Sequence, residues 1–177
     1  APVRKKLGIP TIFNIIGPLT NPFNPEYLLM GIYDLNLIPV VAEAAVKLGY
    51  KKGLFVHGNG LDEITITGIS NIAELNAKTI KNYSLDPFEL GFDYAKLESI
   101  QVSSKQESAS IILNLLNVHK HTATDKHRRN AVLLNAAAAL YTAEKVSDFK
   151  EGVKLAEYSI DSGKALEKLY AVRRIMN

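Results

Sequence analysis

Cysteine is absent from all 177 residues. That excludes disulfide staples and thiolate metal sites, and a reducing compartment such as the cytoplasm is the expected home. Long apolar runs are absent too. The most apolar stretch, AVLLNAAAAL at 131–140, falls well short of the ~20 residues a membrane helix needs and suits a helix buried in a core. The chain opens APVRKK, with neither an initiator methionine nor a signal-peptide core. The expectation is a piece of a longer protein. Familiar chemical signatures are missing as well: there is no GxGxxG after a strand, no GxxxxGK[ST], no GxSxG and no HExxH.

Hydrophobic residues make up 47% of the chain, enough for one domain with a real core. The net charge is +3 and the isoelectric point about 9.0. The positive charge is scattered, densest at Arg4-Lys5-Lys6, Arg128-Arg129 and Arg173-Arg174. A balance this small falls short of a nucleic-acid footprint and suits anionic small molecules equally well.

The order of elements points to an α/β fold with a parallel-rich central sheet flanked by helices. YLLMGIY at 27–33 reads as a strand buried on both faces. Asp34 to Asn36 then start a helix in which Ile38, Val41, Ala45 and Leu48 recur at helical spacing; Pro39 sits in its first turn and Gly49 ends it. GLFVHG follows as a second strand, completing a βαβ unit. EITITG alternates like a half-exposed strand, and AELNAKTIKNYSLDP reads as a hairpin or meander turning near Lys78. After Pro87 the expectation is a loop with a short helical piece. The last third is helical: Ser104 caps a helix with Glu107 in capping-box position, and a long helix spans 125–145. Phe149, Val153, Ala156 and Ile160 mark one face of the next, which Asp161 to Gly163 end, and a final helix covers 164–175. No repeat or linker interrupts residues 1–177, which read as one α/β domain.

Chemistry concentrates in VHGNGLDEITITG, where Asp62 and Glu63 follow an apolar strand on a glycine-bracketed turn. In open α/β sheets ligands sit beyond the carboxyl ends of strands. Two hard oxygen donors there could hold Mg²⁺, which takes one or two carboxylates plus phosphate oxygens. Spacing alone leaves a second reading open, that of adjacent acids simply solvated on a turn. His57 is expected to be a hydrogen-bonded structural residue, and His119 and His121 a loop rather than a metal site. Arg4 offers a planar fork for a carboxylate, although an arginine in a terminal cluster is more often plain surface. GPLTNP at 17–22 demands a particular backbone shape, either as a connection or as the wall of a pocket. No residue stands out as a catalytic acid, base or nucleophile.

Together these pieces resemble the anthranilate phosphoribosyltransferases. The resemblance rests on PVRKKLGIPTIFNIIGPLTNP at 2–22, MGIYD at 30–34, VHGNGLDEIT at 56–65 and VLLNAAAALYTA at 132–143, with EGVKLAEYSIDSGKALEKL where the closing helices fall. It implies the C-terminal domain of the nucleoside phosphorylase and phosphoribosyltransferase type, about the second half of that family's sequence. The helical domain that completes the pocket and dimerises, the glycine-rich pyrophosphate loop and an HPAM stretch are expected upstream. The resemblance further implies that Arg4 binds the anthranilate carboxylate, that Pro18 lines its entry tunnel, and that Asp62 and Glu63 hold Mg²⁺ on phosphoribosyl pyrophosphate. The expected partners are those two substrates and, for the whole enzyme, a second copy of itself; neither a membrane nor nucleic acid is expected. The isolated chain is expected to be inactive. Two rivals stand beside this: the pyrimidine nucleoside phosphorylases, which the GPLTNP and Asp-Glu motifs argue against, and nucleic-acid-binding relatives without transferase activity.

Overall fold

The computed structural model describes residues 13–117 and 125–176. Its elements are α1 (Phe13–Leu19), β1 (Tyr27–Gly31), α2 (Ile38–Leu48), β2 (Lys52–Gly58), β3 (Ser70–Asn76), β4 (Thr79–Leu85), α3 (Lys105–Leu116), α4 (Asp125–Thr142), α5 (Phe149–Asp161) and α6 (Lys164–Met176). Short 3₁₀ turns at Leu35–Leu37, Pro87–Leu90 and Leu97–Ser99 join them.

The strands form one sheet in the order β1-β2-β3-β4. β1 and β2 are parallel, joined across α2, which begins with a proline in its first turn and ends at Gly49 (φ 85°). That is the expected βαβ unit. The α/β class holds, but the sheet is mixed rather than parallel-rich: β2–β3 and β3–β4 are both antiparallel. A two-residue link explains the last pairing. Asn76 faces Thr79, so only Ala77 (φ 45°) and Lys78 (φ 76°) cross over, both left-handed as a type I′ hairpin turn requires.

β2 is the central strand, and its neighbours in sequence face opposite ways. Phe55 packs with Val41, Ala42 and Ala45 of α2, while Leu54 and Val56 pack with Leu133, Leu134, Ala137 and Ala138 of α4. Helices on both faces therefore bury this strand, which is why it reads as continuous apolar sequence. β1 lies at the edge of the described sheet, and Tyr27 to Leu29 are only half-buried.

The EITITG expectation fails. Ile64, Thr65 and Ile66 are all buried, but no strand forms there. Instead of a ladder, the Ile64 and Thr65 N–H groups pair with side chains and the Ile66 carbonyl with the Ala95 N–H at 2.9 Å. GPLTNP divides in two: Gly17, Pro18 and Leu19 close α1, and the reversal follows, with the Asn24 N–H donating to the Asn21 carbonyl at 3.0 Å. The caps of α3 and α5 use one device. Ser104 and Asp148 accept the amides of Glu107 and Glu151, whose carboxylates reach back to the amides of Ser103 and Ser147.

Candidate functional site

The site is built where β1 and β2 end. After Gly58 the chain turns through Asn59 (φ 48°) and Gly60 (φ 87°), and Gly58 and Leu61 exchange both backbone hydrogen bonds at 2.9 Å. Asn-Gly suits that turn because both residues tolerate left-handed backbone. The chain then lies back across both strand ends. A Cβ on Gly31 would overlap the Asp62 carbonyl, and one on Gly58 would overlap the Glu63 carbonyl and stand 2.8 Å from the Thr65 methyl carbon. These two glycines let the Asp62-Glu63 backbone rest directly on the carboxyl ends of the parallel pair.

Side chains hold the loop in place. Asn135 of α4 accepts the Ile64 N–H at 3.1 Å and donates to the Ile64 carbonyl at 2.7 Å. Ser70 accepts the Thr65 N–H at 2.9 Å, and Asn59 donates to the Thr67 carbonyl at 3.1 Å. His57 Nδ1 donates to the Ile32 carbonyl at 2.8 Å, leaving Nε2 to accept the Gly60 N–H at 3.3 Å. Both ring nitrogens are engaged, so His57 is the structural residue its sequence position suggested.

The carboxylates project from this rigid seat. Asp62 and Glu63 are exposed and make no ion pair among the described residues. Partial desolvation and, second, the neighbouring Asp62 charge raise the Glu63 carboxyl above its ordinary range. A divalent cation would relieve that repulsion. No group of three potential metal-ligating side chains exists among the described residues. The pair therefore fits the protein's share of a Mg²⁺ site completed by phosphate oxygens and water, not an all-protein cage. Glu63 also borders a cleft of about 690 Å³ between α3 and α4, lined by Ile111, Ile112, Leu115 and Val132.

Of the other candidates, Pro18 lies apart from this pair. The Pro18 ring is exposed and its carbonyl accepts from the Tyr50 hydroxyl at 3.3 Å. Tyr50 precedes β2 and the acids follow it, so roughly 20 Å of strand separates the two positions. Arg4, His119 and His121 fall outside the described residues. Asn135 and Ser70 escaped sequence reading. Asn135 stands 71 positions from its partner, and the only sequence signal was an amide inside the apolar run AVLLNAAAAL.

Two unpaired carboxylates on a pinned loop beyond the strand ends suit a divalent cation together with its anionic ligands. The chain belongs to the glycosyl transferase family through its α/β domain, the family's model matching residues 1–166. Within that class it is similar to the anthranilate phosphoribosyltransferase of Thermoanaerobacter, 45% identical over 96% of this chain and 49% of the relative. The crystal structure of the Thermus thermophilus enzyme of that name superposes with a TM-score of 0.84 at 36% identity, covering 97% of this chain and 49% of the other. The Saccharomyces cerevisiae enzyme, solved in complex with PRPP and Mg, gives 0.84 at 30% identity over 96% of this chain and 48% of its own. The chain thus spans about half the length of the curated relatives it matches.

Proposed function

We propose that this chain is the α/β half of an anthranilate phosphoribosyltransferase, which moves the phosphoribosyl group of phosphoribosyl pyrophosphate onto the amine of anthranilate in tryptophan synthesis. The observation that carries the reading is the Asp62-Glu63 pair, exposed and unpaired on a pinned loop at the strand ends. Its setting in a chain of this family, with relatives of this name at 45% identity, supports the substrate assignment.

In the reaction the C1–O bond breaks with its electron pair leaving on pyrophosphate, and the amine nitrogen takes the sugar carbon and then gives a proton to solvent. Bound Mg²⁺ supplies Lewis-acid stabilisation of the leaving group. Asp62 and Glu63 are this chain's ligands to it, held rigid by Gly31, Gly58 and Asn135 so that little reorganisation is needed at the moment of reaction. Arg4 is assigned to the anthranilate carboxylate, which its fork matches, and the exposed Pro18 to the acceptor's route. The aromatic amine is a neutral nucleophile, so positioning rather than a strong base does the remaining work. The other half of the relatives' length is assigned the pyrophosphate loop and the dimer contact, the enzyme being a homodimer of the cytoplasm and this half alone inactive.

Fluorescence-monitored consumption of anthranilate, with phosphoribosyl pyrophosphate and Mg²⁺, tests this in the full-length protein that carries the chain. Wild type turns over and Asp62→Asn/Glu63→Gln loses roughly two to three orders of magnitude in rate, as removal of electrostatic stabilisation does. Equal activity in both would sink the metal assignment. Inactivity of wild type itself would sink the reaction, and salt-dependent binding of single-stranded DNA would then favour the nucleic-acid reading.

A further inference from the structure

Adjacent residues on an extended backbone point to opposite sides, so two consecutive carboxylates converge on one cation only where the chain is held off that geometry. The segment after Glu63 has no strand partner to hold it; the Ile66 carbonyl accepts the Ala95 N–H at 2.9 Å, and the groups nearest the acids go to side chains. One side chain takes both groups of Ile64. The Asn135 amide accepts the N–H at 3.1 Å and donates to the C=O at 2.7 Å, imitating a β-bridge; its second N–H goes to the Ala131 carbonyl at 3.0 Å. A carboxamide is the side chain that both accepts and donates in one plane, and here its oxygen and both amide hydrogens are engaged. The helix beneath is firm. Leu133, Leu134, Ala137 and Ala138 are buried, and Gly152 of α5 lies so close that a Cβ there would stand 2.9 Å from the Ala137 carbonyl oxygen.

From this geometry we infer that Asn135 is a positioning residue for the divalent cation, acting on Asp62 and Glu63 through the Ile64 backbone. The inference rests on the metal role proposed above. Residues behind metal ligands commonly contribute ~10–100-fold to metal affinity, because they fix the ligands' orientation before the metal arrives.

The test is binding of Mn²⁺, in place of Mg²⁺, to the full-length protein with phosphoribosyl pyrophosphate present and anthranilate withheld, followed by the electron paramagnetic resonance signal of the free ion against the same mixture without protein. Asn135→Leu keeps the volume but makes no hydrogen bond, and Asn135→Ala removes both. Each is expected to raise the Mn²⁺ dissociation constant ~10-fold or more and to speed hydrogen exchange at the Ile64 amide. Val153→Ala, in the same core on α5, lowers the melting temperature without moving either readout. A change with Asp62→Asn/Glu63→Gln but none with folded Asn135 variants would overturn this inference alone. No change with either set would overturn the metal reading and this inference together. Failure of both Asn135 variants to fold would assign the residue to the core and likewise overturn it.

Discussion

At the amino end of β2, Lys51 meets Glu144 at 3.0 Å and the Tyr27 hydroxyl at 2.8 Å, while the buried Lys52 ammonium lies 3.8 Å from the centre of the Tyr141 ring and donates to the Tyr141 carbonyl. At the carboxyl end, Asp62 and Glu63 stand side by side with no ion pair among the described residues. One strand thus separates a region where both lysines are answered from one where two like charges are left together. Unanswered like charge works against folding and is kept where a ligand supplies the missing sign. The backbone reverses the contrast. It is the charged loop that is clamped most tightly, by two glycine contacts and Asn135. Rigidity there serves ligand geometry; at the other end it serves the core.

The sharpest way to break the contrast is at the loop itself. The double substitution Asp62→Asn/Glu63→Gln, with its loss of roughly two to three orders of magnitude in rate, is the largest effect expected. It should leave the melting temperature unchanged or slightly higher, because it removes repulsion and no contact. A melt that drops by many degrees would show that the acids are structural. Gly31→Ala comes next. Its Cβ collides with backbone at Asp62, which cannot swing aside like a flexible side chain, so the cost is ~1–3 kcal/mol by chemical denaturation together with weakened Mn²⁺ binding. Unchanged stability would mean that the loop does not rest on β1.

The answered end has its own signature at high pH. Glu74 accepts from the Tyr141 hydroxyl at 2.7 Å and from the Tyr83 hydroxyl at 3.0 Å. Burial and then Glu74 push the Tyr141 hydroxyl up to about 12, and burial with the same carboxylate pushes Tyr83 upward too. Both phenols hold their protons more tightly folded than unfolded. Their contribution is therefore complete below pH ~10 and is lost as pH rises from there through about 12. Absorbance titration near 295 nm should show Tyr83 and Tyr141 among the late tyrosines, beside Tyr94, which its hydrogen bond to Asp86 also raises, and Glu74→Gln should bring the midpoints of the first two alone down. Midpoints that stay put would remove Glu74 from the account. Smallest of all is Lys51→Met. The Lys51–Glu144 pair is solvent-exposed, and its loss should leave the melting temperature within error. A clear drop would make the amino end a stabilising network rather than a neutralised surface.

Local signals in the chain were good guides wherever the cause of structure is local. Gly49 ended α2, the Ser104 and Glu107 spacing capped α3, and Phe149, Val153, Ala156 and Ile160 set the buried side of α5. The acids at 62 and 63 were visible because they follow a strand on an Asn-Gly turn. EITITG misled because alternation counts side chains and is blind to the backbone's partners. Ile64 and Thr65 bond to Asn135 and Ser70, so the segment is buried without being a strand.

By itself the sequence determined α2 through α6, the end of α2, the cap of α3, the strand-helix-strand order, the hairpin turn and the identity of the exposed carboxylates, each read from short local patterns, while α1 was not legible as a helix. Only the tertiary structure decided that two of the three strand pairings are antiparallel, that Gly31 and Gly58 seat the acidic loop, and that Asn135 clamps it. Those depend on groups far apart in the chain meeting at a few ångströms, and no local pattern encodes which partner a buried N–H will find.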